Sequence, residues 1–195
     1  MRANSLFDLV DRRTGHFRLE SGHHTDSWLS LDQLFTRPAE LRPHLRRLAE
    51  RIDGYGVEVI CGPLTGGAFL AQLIATELNV GFSFAERIPT GRAGMYPVDY
   101  RVPPALRPGM TGKRVAIVDD AISAGSAVAS TLRDLRSADA SVAVLAALIT
   151  IGERPAELAR ANGLPLESLI ELAAVIWDPA ECPMCRAAAP IQPLS

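Results

Sequence analysis

"RVAIVDDAISAGSAV", residues 114–128, is the stretch on which the reading of this chain turns. Val115–Val118 form an unbroken apolar run, which suits a strand buried on both faces of a parallel sheet. The run stops at two adjacent carboxylates, Asp119 and Asp120, and small residues then lead into a helical pattern from Ser126. In an open parallel sheet, ligands bind beyond the carboxyl ends of the strands, where these acids stand. The backbone N–H groups of the loop after them are free to converge on an anion. Ala124 and Gly125 permit close approach, Ser123 and Ser126 add hydroxyls, and a helix N-terminus favours negative charge. That is a phosphate cradle. Carboxylates beside it would repel phosphate, so they are expected to face hydroxyls or a metal. The two vicinal hydroxyls of a ribose phosphate suit them. The plainer alternative has the acids cap the helix and the small residues merely turn the chain.

The same rhythm runs outward from this stretch. Asn4 or Ser5 is placed to cap a short helix carrying Leu6, Phe7, Leu9 and Val10, stopped at Gly15, and 17–21 is strand-like. Pro38 opens a helix with Leu41, Leu45, Leu48 and Ile52 at helical spacing, closed by Gly54. Strand 57–61, helix 67–78, strand 80–85, strand 114–118, helix 126–137 and strand 142–150 follow. The pattern predicts an α/β fold, a mostly parallel twisted sheet with helices on both faces. Residues 86–113 hold five prolines and four glycines, so no long helix fits there and a functional lid is expected. The tail from Asp178, with four prolines and "CPMC", reads as an irregular cap. The chain is expected to be one domain over 1–195, with a core of about 38–150 and a small hood from about 1–37 and 151–195.

Composition narrows the setting. A formal charge of −2 gives no bulk electrostatic case for nucleic acid or an anionic membrane surface. No run approaches the roughly 18 apolar residues of a membrane span, and the N-terminus lacks a signal-peptide core, so a cytoplasmic protein is expected. Lys113 is the single lysine beside nineteen arginines, so cationic work falls to Arg.

The opening stretch resembles the phosphoribosyl pyrophosphate (PRPP) motif of type I phosphoribosyltransferases. The resemblance extends to "CGPLTGG" (61–67), placed like that family's pyrophosphate loop. It also covers "GHFRLESGHHTDSWL" (15–29) and "WDPAECPMCRAAAPI" (177–191), which are similar to segments of bacterial orotate phosphoribosyltransferases. It implies that Asp119 and Asp120 hold the ribose 2′- and 3′-hydroxyls. Ser123, Ala124, Gly125 and Ser126 would wrap the 5′-phosphate, and Ala121 and Ile122 before them would belong to the same PRPP-binding stretch. Leu64, Thr65, Gly66 and Gly67 would present N–H groups to the pyrophosphate, with Mg²⁺ bridging its oxygens. The implied reaction is displacement of pyrophosphate at ribose C1 by a base nitrogen, through an oxocarbenium-like state that needs no side-chain nucleophile. The implied base is orotate, and the implied assembly is a homodimer. Arg87 and Arg92 are the candidate cations for the leaving pyrophosphate, with Arg101 a third. Ser123, Arg154 and His24 are the candidate base contacts.

The chain departs from the family pattern. Its Pro/Gly-rich loop has no lysine, and Arg does not replace Lys silently. Thr150 and Ile151 stand where an Asp-Arg pair is usual, and Glu20 stands where relatives often carry Lys or Arg. Two other readings therefore stay open: a transferase for a different base, and a non-catalytic PRPP- or nucleotide-sensing regulatory protein. Cys182 and Cys185 have the spacing of half a zinc site, but two further ligands are needed. Cys61 is assigned to a core strand and His23 and His24 would have to reach across. The pair reads foremost as an unliganded tail contact, with a zinc site or a redox pair as alternatives, and no metal-binding side chain is assigned.

Overall fold

The structure, a computed structural model, describes residues 5–91 and 97–193. In chain order it holds β1 (Asp11–Arg18), β2 (His24–Ser30), α1 (Pro38–Asp53), β3 (Val59–Pro63), α2 (Gly66–Leu78), β4 (Gly81–Pro89) and β5 (Val98–Arg101). Then come β6 (Arg114–Ile122), α3 (Ser126–Ser137), β7 (Ser141–Ile151), α4 (Arg154–Ala161), β8 (Leu166–Leu172), β9 (Ile176–Trp177) and α5 (Pro183–Arg186).

The apolar runs do what their composition dictates. Six strands lie in the order β5-β4-β3-β6-β7-β8, parallel except for the β4–β5 pair. Side chains alternate across the sheet. Ala116 and Val118 of β6 join one core layer with Leu41, Leu48 and Ile52 of α1 and Leu70 and Ile74 of α2. Val115 and Ile117 face the other way, onto Val128, Leu132 and Leu135 of α3. Both faces are covered, which is why these strands carry no polar alternation.

Three differences from the sequence reading have local causes. β6 does not stop at Val118 but runs through both acids to Ile122, since pairing with β7 continues through Asp119, Ala121 and Ile122. The N-terminal helix is a single 3-10 turn, Leu6–Leu9, and Gly15 lies inside β1 rather than closing a helix. The main sheet also runs on past the expected core boundary at 150. β8 pairs parallel with β7, from Leu145↔Leu166 to Ile151↔Leu172. In "LESLIEL" every residue but Glu171 is half-buried, so no clean alternation announces a strand.

The hood is a separate small sheet, β1-β2-β9, all antiparallel. It joins the core through Leu6, Leu9 and Leu29, which pack into the α1/α2 layer. The tail lies along β1, where the Gln192 N–H donates to the His16 carbonyl at 2.7 Å. Among the described residues no helix is long and apolar enough to cross a membrane.

Candidate active site

The two acids end up where the sheet's carboxyl edge meets two tight loops. Asp119 is buried and Asp120 half-buried. The Asp120 N–H donates to Asp119 Oδ1 at 3.0 Å, and the Ala121 N–H to Asp120 Oδ1 at 2.8 Å. Burial pushes the Asp119 carboxyl well above the usual carboxylate range, and the neighbouring Asp120 charge adds to the push. Such a carboxyl gains from any hydroxyl donor or cation brought to it.

Gly66 and Gly67 open α2 directly against this pair. A Cβ at Gly66 would collide with the Asp120 carboxylate, and one at Gly67 would lie 2.6 Å from Asp119 Oδ1. At Gly62 a Cβ would strike the Gly67 carbonyl. Only glycine fits this close approach of backbone to carboxylate. Leu64–Gly67 and Asp119–Asp120 are thus side by side, as the sequence predicts, and Leu64 is held by its N–H to the Ala85 carbonyl at 2.9 Å.

Gly125 takes a left-handed conformation, φ 74°, immediately before α3, and residues Ala121–Val128 line a cavity of about 170 Å³ with Leu19, Glu20, Ser21, Trp28 and Asp119. A second cavity of about 250 Å³ adjoins it beneath the hood, sharing Leu19, Trp28, Ala121 and Ser123. Its other walls include Thr25, Ser27, Ser30, Asp120, Ile151 and Ile176. Ser123 therefore touches both cavities.

The candidate cations are placed less simply. Arg87, at the end of β4, donates through Nε to Glu20 at 2.8 Å, and the Tyr100 hydroxyl donates to the other Glu20 oxygen at 2.7 Å. The Glu20 carboxylate raises the Arg87 pKa further, so its charge is fixed. Arg92 lies outside the described residues. Arg101 sits 4.0 Å from Asp99, on the β5 edge. Lys113 pairs with Glu58 at 2.8 Å at the opposite end of β6, which leaves the site to arginines.

Two expected base contacts lie elsewhere. Arg154 is 3.6 Å from Asp178, which also meets His23 Nε2 at 3.0 Å, and it lines a different cavity that shares only Ile176 with the one under the hood. His24 turns away from the cavity, into a group with His16, Cys182 and Cys185. Successive strand side chains point to opposite faces, so Thr25 faces the cavity instead. Cys61 stays apart on β3, its thiol pushed up to about 12 by burial.

Trp28 escapes a sequence reading. It lines both cavities, and its buried indole Nε1–H has no hydrogen-bond partner among the described residues. A buried, unsatisfied donor at a cavity wall costs free energy until a ligand accepts from it. "DSWLS" offers only a strand-compatible aromatic.

Known proteins share this architecture. An orotate phosphoribosyltransferase from Caldanaerobacter subterraneus subsp. tengcongensis is 29% identical over 180 residues, 91% of this chain and 86% of its own. The crystal structure of orotate phosphoribosyltransferase from Aeropyrum pernix superposes with a TM-score of 0.63 at 25% identity, over 82% of this chain and 87% of that one. An adenine phosphoribosyltransferase from Thermoanaerobacter pseudethanolicus, at 18% identity and TM-score 0.67, covers 86% of this chain and 100% of its own, and shares the fold. The phosphoribosyl transferase domain itself matches residues 30–181, from the end of β2 to the residue before Cys182. With the acid pair, the glycine loop and the cradle all inside that span, the chain belongs to the phosphoribosyl transferase family and is a PRPP-dependent glycosyltransferase.

Proposed function

We propose that this chain transfers the phosphoribosyl group of PRPP to orotate, releasing pyrophosphate and forming the nucleoside monophosphate in the cytoplasm. One observation carries the reading: the Asp119–Asp120 pair lies against Gly66 and Gly67 and beside the Ser123–Ser126 loop. Vicinal hydroxyls, pyrophosphate and 5′-phosphate are the three polar groups of PRPP, and three complementary surfaces meet at this edge. The orotate assignment is supported by the names of the curated relatives.

The roles follow from the geometry. Asp119 and Asp120 accept from the ribose hydroxyls, which offsets the cost of burying the Asp119 charge. Backbone N–H groups of 65–67 and 123–126 bind the two phosphate ends and so fix C1 between them, the Leu64 N–H being committed to the Ala85 carbonyl. The bond from C1 to pyrophosphate breaks as the bond to the base nitrogen forms, and catalysis is orientation plus stabilisation of the departing charge. Arg87 and Arg92 supply that stabilisation from the chain. The base lies under the hood, against Thr25, Ser27 and Ser123, where Trp28 Nε1–H is available to a carbonyl oxygen. Paired carboxylates and substrate oxygens are the hard donors that Mg²⁺ prefers, so Asp119 and Asp120 fit an ion arriving with PRPP; when bound it neutralises charge on the pyrophosphate. The working assembly is a homodimer in which one subunit's 86–113 segment reaches its neighbour's site; a strict monomer by light scattering at micromolar concentration would remove that idea.

A second reading is a transferase for an uncharged base. It is favoured by the cavity itself, whose described lining includes no Lys or Arg, and by Glu20, which holds Arg87. The test is pyrophosphate release from PRPP and Mg²⁺ across a panel of pyrimidine and purine bases. Release with orotate alone supports the first reading. Turnover with a neutral base but not orotate establishes the second, and none with any base returns the chain to a PRPP-binding regulator.

A further inference from the structure

We propose that His16, His24, Cys182 and Cys185 form a structural zinc site that fastens the tail to the hood. Their ligand atoms all lie within 4.8 Å of one another. They come from β1, β2 and the start of α5, elements from the two ends of the chain. All four fall outside residues 30–181, so the site is an addition to the transferase domain.

Four of the six spacings within the group are near those of a tetrahedral zinc site. With Zn–S near 2.3 Å and Zn–N near 2.05 Å, N and S ligands stand about 3.5 Å apart and two N ligands about 3.3 Å. His16 Nε2 is 3.6 Å from Cys182 Sγ and 3.7 Å from Cys185 Sγ. His24 Nδ1 is 3.2 Å from Cys185 Sγ and 2.9 Å from His16 Nε2, each a few tenths of an ångström short of those spacings. An ion would widen these two contacts by a few tenths of an ångström and draw in the pairs that stand as far as 4.8 Å apart.

A second feature of metal sites is present. His16 Nδ1 lies 2.8 Å from the Ala189 carbonyl. A carbonyl oxygen only accepts, so Nδ1 carries the proton and Nε2 presents a lone pair to the cluster. Histidine ligands are usually oriented in this way by a backbone carbonyl or carboxylate on the other ring nitrogen. Without an ion, His24 Nδ1 and two thiols crowd around that one lone pair, and it accepts well from one donor at most.

Charge and ligand type select the metal. Two cysteines bind as thiolates and two histidines as neutral rings, so the loaded site has no net charge. His16, His24 and Cys182 are buried, where a neutral assembly avoids the penalty of an unpaired ion. A tetrahedral set of two sulfurs and two imidazole nitrogens is a zinc set.

The test uses the full chain. Purified from zinc-supplemented growth and dialysed, it is expected to carry about one zinc per chain by plasma mass spectrometry. Cys185→Ser, which alters the one exposed ligand, is expected to lower that at least about tenfold, the loss an outer-shell change alone can cause. Cys61→Ser should keep its zinc. Co²⁺ added to the stripped wild-type chain gives a reading independent of any variant's folding: the intense visible absorption of a tetrahedral thiolate site. A wild-type chain that stays zinc-free and spectrally silent overturns the proposal. So does a Cys182–Cys185 disulfide, seen as the loss of two hydrogens in the intact mass, or zinc retained in both Cys182→Ser and Cys185→Ser.

Discussion

The acid-and-glycine edge draws its groups from two short stretches of consecutive residues, 64–67 and 119–126, whereas the hood joins His16 and His24 to Cys182 and Cys185 from the far end of the chain. The edge is built on close approach, with glycines packed on carboxylates and a loop of small residues lining a cavity. The hood works through side chains, and its small sheet depends on links that local sequence does not dictate. The difference teaches that edge and hood are built independently; with PRPP proposed at the edge and the base under the hood, substitutions should sort by region.

The largest effect is expected from Arg87→Ala. If Arg87 meets the departing pyrophosphate, turnover falls about 10²- to 10³-fold, the scale for removing one donor to a developing anion. PRPP affinity should change less than about fivefold, because an exposed ion pair such as Arg87–Glu20 contributes little to the ground state. Turnover assays beside calorimetry separate the two. Equal losses in both would mean that Arg87 only binds.

Asp120→Ala comes next. Loss of a hydrogen bond to a charged acceptor costs about 1.5–3 kcal/mol, so PRPP should bind about 10- to 150-fold more weakly by calorimetry. Zinc content should stay at the wild-type level. A fall in both would break the division between edge and hood. Trp28→Phe probes the seam. It keeps the apolar wall and removes the indole donor, so KM for the base should rise about 2- to 13-fold, with PRPP affinity little changed. An unmoved KM would show that the base does not reach Nε1.

These expectations bear on what the sequence could reveal. Helix 126–137 and the strands around it were legible because buried runs and helical spacing are local signals, and α3 spans Ser126–Ser137 as read. The acids and the glycine loop were legible for the same reason, each occupying consecutive positions. β1 was not: "DRRTGHFR" is mostly charged or polar, and it becomes a strand by pairing with β2 across a bulge. The His–Cys group was half visible. "CPMC" announces two ligands, but partners 158–169 residues away are brought together only by tertiary structure. The place of His24 was misread for a related reason, since whether it or Thr25 faces the cavity depends on one residue of strand register.

The smallest expected effect concerns Asp119 itself, and it tests whether the edge is built for a ligand rather than for stability. Burial and the Asp120 charge raise the folded pKa of Asp119 above its ordinary 3.8. Between 3.8 and that raised value the folded state holds more protons than the unfolded one. Stability therefore falls as pH rises through this window, and the whole penalty is present above it. Asp119→Asn keeps an oxygen to accept the Asp120 N–H and removes the buried charge. Without ligand at neutral pH the variant should melt higher, each kcal/mol recovered being worth about 2–4 °C in a chain of this size. The advantage should shrink as pH falls toward the ordinary carboxylate range, where the parent carboxyl is also neutral. Adding PRPP with Mg²⁺ should reverse the order, because the ligand stabilises the state it binds and binds the parent better. Melting curves across pH, with and without PRPP, read all three at once. A variant less stable at neutral pH, or an advantage that ignores pH, would make the acid pair part of the scaffold, and the edge would then resemble the hood in being built to hold the fold.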